Sequence, residues 1–452
     1  MRADVRLSAE DRAELAAAGI AVAEAERQLE LLASPPPRTR LLKPATIGDG
    51  VIRLEPGRET ELIARACAAR DAGRFTKFVP ASGAATRMFR ALYASEDGDL
   101  ADPGDIAEKR RTLMALPTTA IGHEISRLAG GVSPDAWLRT PAGRAFAAQP
   151  KALLPFHLDS GEVRTAFADQ IAEGLEYLVD RRSRARFHFT LPDASRVLFE
   201  PARRAWRRRA GAGVEITFSE QRRSTHALAL DDSGRPARLS DGKLLLRPSG
   251  HGALLDNLNA LGATGADLVF LKNIDNILPA SRHAEIARTK LLLAGLLLEL
   301  EEQRPRRTRP LRVCGVVANA GEPGGGPFWI AGADRAPSLQ IVESAEVDFA
   351  AAAQREIWNR STHFNPVDLV VGLRDATGRP FDLARFVDPA RVFVADKSEG
   401  GRRLRVYERP GLWNGAMAGL ETLFVELPAW TFAPVKTLLD LARPEHRVAS
   451  PA

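Results

Sequence analysis

The segment Lys77-Phe78-Val79-Pro80-Ala81-Ser82-Gly83-Ala84-Ala85-Thr86-Arg87-Met88 brings together the residue types that bind an anion. It reads as a short apolar strand, a tight small-residue turn and a helix start. Small residues let the backbone approach a ligand, and the N–H groups freed by the turn and the first helical turn favour negative charge. Thr86 can cap the helix, and Arg87 adds a full positive charge beside the turn. The chemistry is that of a triphosphate cradle centred on Ala81, Ser82, Gly83, Ala84 and Thr86. The turn is not a Walker loop, because no Gly-Lys-Ser/Thr follows, and it lacks the Gly-x-Gly-x-x-Gly dinucleotide pattern. Taken alone, a Gly-Ala-Ala helix start is more often a site of plain close packing than a phosphate cradle.

The elements that must position this loop follow from pattern. A strand is expected at 75–80, called here the first, then a helix to about 94 and a loop and short-helix insertion at about 97–149. Residues 150–156 read as extended, 162–180 as helix, 186–191 as strand, 193–210 as helix and 214–218 as strand. A helix is expected from about 250. The apolar run 267–276 reads as a strand ending in polar residues, and 281–302 as a helix. Alternating strands and helices give an α/β fold with a mostly parallel, mixed sheet, whose ligands sit at the carboxyl ends of strands. Residues 8–34 read as a helical pattern opened by Ser8 with Asp11 three residues on, and Pro35-Pro36-Pro37 ends it. The expected division is a helical arm and linker at 1–45 and one α/β domain at 46–445, strand-rich from about 310.

Composition narrows the classes. Two cysteines, Cys67 and Cys314, exclude a disulfide framework and a cysteine-rich zinc site and fit a reducing cytoplasm. The start of the chain lacks the apolar core of a signal peptide, and the most apolar helix is too short to span a bilayer. A cytoplasmic location is therefore expected, with no membrane partner. The net charge of +6 comes mostly from arginine. Its densest cluster, 203–209, reads as the solvated C-terminal end of a helix rather than a nucleic-acid patch.

The order of motifs resembles the sugar nucleotidyltransferases, especially the UDP-sugar pyrophosphorylase branch. The segment Pro80–Met88 is similar to their small-residue loop ending in Thr-Arg, with alanines where the second and third glycines stand. Pro150-Lys151-Ala152-Leu153 matches their Pro-Lys-x-Leu segment, and Phe218-Ser219-Glu220-Gln221 their aromatic and glutamine at a strand end. Pro248-Ser249-Gly250-His251-Gly252 matches a Pro-x-Gly-His-Gly segment, and Ile274-Asp275-Asn276 a strand ending in Asp-Asn. Ile341-Val342-Glu343 and Phe432-Ala433-Pro434-Val435-Lys436 match two later motifs. Over roughly 70–445 the chain also resembles a bacterial family of unknown function. That family shares the Pro80–Met88 loop, Gly321-Glu322-Pro323-Gly324-Gly325-Gly326-Pro327-Phe328-Trp329, His363-Phe364-Asn365-Pro366 and Leu412-Trp413-Asn414-Gly415-Ala416-Met417.

The first resemblance implies a Rossmann-like, GT-A-like nucleotide-sugar transferase fold and transfer of a nucleotidyl group from a nucleoside triphosphate, UTP, to a sugar 1-phosphate. Such an in-line displacement at phosphorus needs position and positive charge. Arg87 would hold the leaving phosphates, and Lys151 would bridge the attacking and α-phosphates. Lys436 would reach in from an extended segment. Asp275 would hold Mg2+, a hard cation that keeps waters; a turn aspartate is the plain alternative. Gln221, Gly250, His251 and Gly252 would face the base, and Glu343 and Asn365 the sugar, though each equally suits a cap, rim or turn. Trp413 and Trp329 read as core or interface rather than sugar platforms. Two alternatives remain open: a glycosyltransferase on the same fold, which would need an Asp-x-Asp at a strand end that the chain does not show, and a non-catalytic nucleotide or sugar-phosphate binder. The geometric expectation is that Arg87, Lys151, Lys436 and Asp275 line one cleft.

Overall fold

Strands rich in valine, leucine and phenylalanine, five of them buried along nearly their whole length, build a nine-stranded sheet. The computed structural model describes residues 7–83, 85–93, 103–159, 161–192, 194–211, 213–321, 324–332, 336–399 and 402–446. We number the strands of this sheet β1 (Thr46–Ile47), β2 (Gly50–Ile52), β3 (Phe75–Pro80), β4 (Ala185–Leu191), β5 (Val214–Glu220), β6 (Leu268–Lys272), β7 (Leu311–Ala318), β8 (His363–Gly372) and β9 (Glu421–Glu426). Their spatial order is β1-β2-β9-β7-β8-β6-β3-β4-β5. All neighbours are parallel except β8, which runs antiparallel to both β6 and β7. A mostly parallel sheet must be covered on both faces, because crossover helices pack on each. Alternate residues divide accordingly. Phe75, Phe187, Phe189 and Phe270 point to a core shared with helices Glu59–Asp71, α1 (Ala166–Leu178) and α3 (His283–Gln303). Phe78, Val269 and Leu271 point to a second core with α2 (Leu255–Ala263).

Several boundaries differ from those read in the sequence. Phe75–Pro80 is not the first strand: Leu41–Pro44 and the short β1 and β2 precede it, and β1 and β2 form the far edge of the sheet. Residues 8–34 form two helices, Ala9–Ala17 and Val22–Ala33, broken at Gly19, whose φ of 72° lies in the left-handed region. The expected Ser8–Asp11 cap is present as a reciprocal capping box. These helices pack Leu15, Ile20, Leu29 and Leu32 against Leu228, Leu230 and Tyr407. Residues 150–156 are not extended throughout: a 3-10 turn, Lys151–Leu153, precedes the strand Pro155–Asp159. Between 103 and 147 the chain forms four helices, Pro103–Ala115, Ala120–Ala129, Pro134–Leu138 and Pro141–Ala147. A separate three-stranded sheet, Leu41–Pro44 with Gly325–Ala331 and Pro337–Glu343, flanks the main one. No described helix is long and apolar enough to cross a membrane.

Candidate functional site

The carboxyl ends of β3 and β6 carry the loop at Ala81–Gly83 and the turn at Asn273–Asn276. Ala81 is buried and held by its N–H to the Thr190 carbonyl at 2.9 Å, while Gly83 is exposed. A Cβ added at Gly83 would meet no described atom within 4 Å. Ala84 lies outside the described residues, and for Thr86 and Arg87 only the backbone is described. The helix they belong to is one turn long, Thr86–Phe89, continued as a 3-10 turn to Tyr93, and its N-cap is Ala85 without a side-chain bond. Thr86 is thus the first helical residue and not the N-cap, and so short a helix brings little dipole to the loop.

Lys151 is the centre of the arrangement. Its backbone N–H donates to the Gly83 carbonyl at 3.3 Å. Its Nζ donates to Asp275 Oδ2 at 3.0 Å and to the Val435 carbonyl at 3.1 Å. Val435 N–H returns a bond to the Asp275 carbonyl at 2.9 Å. Residues from four distant stretches thus meet: the glycine turn, the 3-10 turn, the end of β6 and the segment before Lys436. Asp275 does not end the strand, which stops at Lys272; it sits in the following turn, about one-fifth exposed, and its Oδ1 takes no hydrogen bond among the described residues. The Lys436 ammonium has no ion pair or hydrogen bond among the described residues, while its backbone N–H is fixed to Asp440 Oδ2 at 2.8 Å. Asn276 is the hinge between elements. Its Oδ1 accepts from Ala433 N–H at 3.1 Å and its Nδ2 reaches the Pro366 carbonyl at 3.5 Å.

A second group gathers the Gly250–Gly252, Glu343 and Trp413 segments. His251 stacks face to face on Trp413, with ring centroids 4.0 Å apart and planes 6° from parallel. Leu412 N–H donates to His251 Nδ1 at 2.9 Å, so the ring hydrogen of the neutral tautomer sits on Nε2, which faces Glu343 Oε1 at 3.5 Å. Trp413 Nε1 donates to the same oxygen at 3.0 Å. Burial opposes ionisation of Glu343, but the His251 and Trp413 donors outweigh it and hold its carboxyl below the usual range. Gly250 requires its left-handed φ of 78°, and a Cβ at Gly252 would collide with the Pro410 carbonyl oxygen. Gln221 is turned back on its own loop, Nε2 to Thr225 Oγ1 at 3.5 Å. The two groups are joined through aromatic contacts: Gly324 lies on Phe364, whose ring is 4.8 Å from that of Phe432, and Gly325 pairs with Glu343. Asn365, next to Phe364, is buried and accepts from Val367 N–H at 3.4 Å. Val367 holds a φ of 55°, a strained conformation for a β-branched residue.

Beneath the first group lies a buried charge network that the sequence reading did not include. Lys77 Nζ and Lys272 Nζ both reach the Glu173 carboxylate, at 2.9 and 2.6 Å, and Lys290 pairs with Asp368. Three ammoniums face two carboxylates. Burial pushes Lys77 down to about 7 against the pull of Glu173, with Lys272 and Lys290 adding to the shift. Burial also works against Glu173, yet the Lys272, Lys77 and Lys290 charges hold its carboxyl far below the usual range. From the next turn of α1, Gln170 Nε2 donates to the Asn273 carbonyl at 3.0 Å, tying this network to the Asp275 turn. The available signal was a lysine inside each of two apolar strands, Lys77 and Lys272. A lysine in such a strand demands a buried partner. Trp413, read as core or interface, packs against the second core and also forms one wall of the second group. Among the described residues no three His, Cys, Asp or Glu side chains form a metal cluster. A cavity of about 750 Å³ lies apart from both groups, between the β3-β4-β5 face and α2, beside Arg186, His188, Thr217 and Ser219. Burial pushes His188 down to about 4, so its ring is neutral there.

Solved structures with this fold include nucleotide-sugar pyrophosphorylases. A mutant Leishmania major UDP-glucose pyrophosphorylase in complex with UDP-glucose matches with a TM-score of 0.52 and 15% identity, over 96% of this chain and 79% of that one. A Trypanosoma brucei UDP-glucose phosphorylase matches at 0.54 and 13%, over 95% and 76%. The Trypanosoma brucei uridine diphosphate N-acetylglucosamine pyrophosphorylase in complex with an inhibitor matches at 0.50 and 14%, over 96% and 79%. At these identities the likeness is one of fold, and it makes the architecture Rossmann-like, as expected. No curated protein matches the chain by sequence. The family model described as "Domain of unknown function (DUF4301)" matches residues 8–119, 136–306 and 304–447, and the chain belongs to that family.

Proposed function

We propose that the chain is a sugar-1-phosphate nucleotidyltransferase that joins a nucleoside triphosphate, UTP, to a sugar 1-phosphate and releases pyrophosphate. The observation that carries this reading is the meeting of Lys151, Asp275, the Val435–Lys436 segment and the Gly83 turn at the carboxyl ends of parallel strands. The fold shared with UDP-sugar pyrophosphorylases supports it.

In this reading Lys436, whose ammonium has no partner among the described residues, and Lys151 neutralise the phosphates as charge builds on them, and Arg87 adds to them from the short helix after the loop. Lys151 exchanges part of its bond to Asp275 for a phosphate oxygen. Fixed cations in a partly dry site stabilise developing charge without reorganising. Glu343 and Asn365 take sugar hydroxyls, with the His251–Trp413 stack as a flat wall beside them. Gln221 and Gly250–Gly252 take the base. The fit for Mg2+ is limited: Asp275 Oδ1 offers one hard oxygen, and the neighbouring Oδ2 already meets an ammonium. Asp275 would hold an ion otherwise completed by water and phosphate, and that ion would screen phosphate charge.

The test is pyrophosphate release by the full chain with each nucleoside triphosphate against a panel of sugar 1-phosphates. Release that requires UTP and one sugar phosphate supports the reading. Transfer of sugar from a nucleotide sugar, without pyrophosphate, identifies the glycosyltransferase alternative. A rise in melting temperature with nucleotide but no turnover identifies a binder.

A further inference from the structure

One face of the sheet at β3, β4 and β5 carries polar side chains. On β5, Val214, Ile216 and Phe218 are buried in the core, while Glu215, Thr217 and Ser219 alternate onto the other face. Arg186 and His188 of β4 join them there. A mostly parallel sheet ordinarily presents apolar residues to helices on both faces. Here the cavity of about 750 Å³ lies between the polar face and α2, and it runs from the amino ends of β3, β4 and β6 to the carboxyl end of β5. Small-molecule sites have roughly this size, about 300–1,000 Å³. Its described lining includes neither Lys151, Asp275 and Lys436 nor His251, Glu343 and Trp413.

The hydrogens on the cavity floor can be placed one by one. Thr217 Oγ1 donates to the Phe187 carbonyl at 3.1 Å, so it accepts at its 2.9 Å contact with His188 Nδ1. His188 is buried and neutral, with its one hydrogen therefore on Nδ1. Its Nε2 then accepts from Ser219 Oγ at 2.7 Å. Ser219 Oγ in turn accepts from Asn257 Nδ2 at 2.7 Å, and the second hydrogen of that amide goes to the Glu220 carbonyl at 3.0 Å. Every hydrogen in this row is spent within the protein. What the floor offers a ligand is the lone pairs of its two hydroxyls, foremost that of the exposed Thr217. The charges around it cancel. Arg74 pairs with Asp267 at 2.5 Å, Arg186 lies 3.7 Å from Glu215, and Arg222 and Glu220 are the third cation and third anion. No net field draws a phosphate. Across from the floor, α2 presents Ala260 and Leu261, an apolar wall.

We propose that this cavity is a second ligand site, for an uncharged saccharide whose hydroxyls donate to Thr217 and Ser219 and whose C–H face lies on Leu261. The site is independent of the nucleotidyltransferase reading. The test is saturation-transfer NMR on the full chain with glucose, galactose, N-acetylglucosamine, maltose and trehalose as probes. At least one is expected to bind with a Kd of about 1 mM or tighter. Binding by none of them overturns the proposal. Tenfold excess inorganic phosphate is expected to leave the signal unchanged, and displacement by phosphate overturns the neutral reading. Ala260→Phe, which fills the cavity from the helix side, is expected to abolish binding. Thr217→Val is expected to weaken it about fivefold, the scale of one uncharged hydrogen bond. A thermal melt shows whether each variant is folded; if Ala260→Phe is not, Thr217→Val decides, and an unchanged Kd overturns the proposal. Glu343→Gln is the control for position and is expected to bind as the parent does. Binding that survives Ala260→Phe and is lost in Glu343→Gln overturns the proposal and moves the saccharide to the Glu343 corner.

Discussion

Lys151 donates its ammonium to Asp275 at 3.0 Å although 124 residues separate them, and the pair is largely screened from solvent, with 11% and 21% of the two side chains exposed. Removing one partner of a largely buried pair leaves the other charge uncompensated. Lys151→Gln keeps a donor at that position and is expected to fold with a lowered melting temperature, while pyrophosphate release measured below that temperature falls by about 10²–10³-fold, as for loss of one preorganised donor. Steady-state kinetics beside a thermal melt checks this, and a variant of unchanged turnover would remove Lys151 from the chemistry.

Gly83 separates binding from folding. Its φ is not left-handed and no described atom lies within 4 Å of an added Cβ, so Gly83→Ala is expected to change stability by no more than about 0.5 kcal/mol. If the turn approaches phosphate, the same methyl group raises KM for the triphosphate. Gly252→Ala gives the opposite control: the new Cβ collides with the Pro410 backbone, and the expected outcome is a marked fall in melting temperature.

Much of this architecture was legible in the chain because hydrophobic period and turn residues report backbone geometry directly. The apolar runs at 75–80, 185–191 and 268–272 are strands in the expected sheet, and the Ser8–Asp11 cap is where the pattern put it. Helix Thr86–Phe89 was harder to read, since alanine-rich sequence favours helix but does not set its length. Lys151, Asp275 and Val435 were legible only as separate strings, because nothing local to a string states which carbonyl a distant ammonium will find. The lysines inside the core were missed for a related reason: a lysine in a strand looks like a surface residue until its partner, Glu173 on a helix, is in view.

That network makes a prediction about stability. Glu173→Ala strands Lys77 and Lys272 without their shared carboxylate and is expected to cost about 3–5 kcal/mol. Lys77→Met removes the excess ammonium and leaves Glu173 with Lys272, so it is expected to be neutral or stabilising. Urea denaturation of the two variants distinguishes them; equal losses would mean the charges are not coupled.

Lys77 also sets a pH dependence. Its folded value of about 7 lies below the ordinary 10.5, so between these limits the unfolded chain holds a proton that the folded chain has released. Stability from this group therefore increases as pH rises from about 7 towards 10.5 and is lost as pH falls back through that window. Denaturation midpoints across this range should climb in the parent and flatten in Lys77→Met.

The Glu343 corner predicts selectivity. Trp413→Phe keeps a ring on His251 but removes the Nε1 donor at 3.0 Å from Glu343. KM for the sugar 1-phosphate is expected to rise several-fold, in line with a lost hydrogen bond to a charged group, with KM for the triphosphate unchanged. Titration of each substrate at saturating levels of the other reads the two apart.

The carbonyl that receives Lys151 belongs to residue 435, 284 positions further along the polypeptide. Contacts of such long range form late, because the intervening loop must close first. A nascent chain on the ribosome can assemble its sheet from β3 to β8 before Val435 has been made. It would then carry the glycine turn and the Asp275 carboxylate, with the lysine still waiting for its last oxygen partner. The last bond of this group is thereby tied to completion of synthesis.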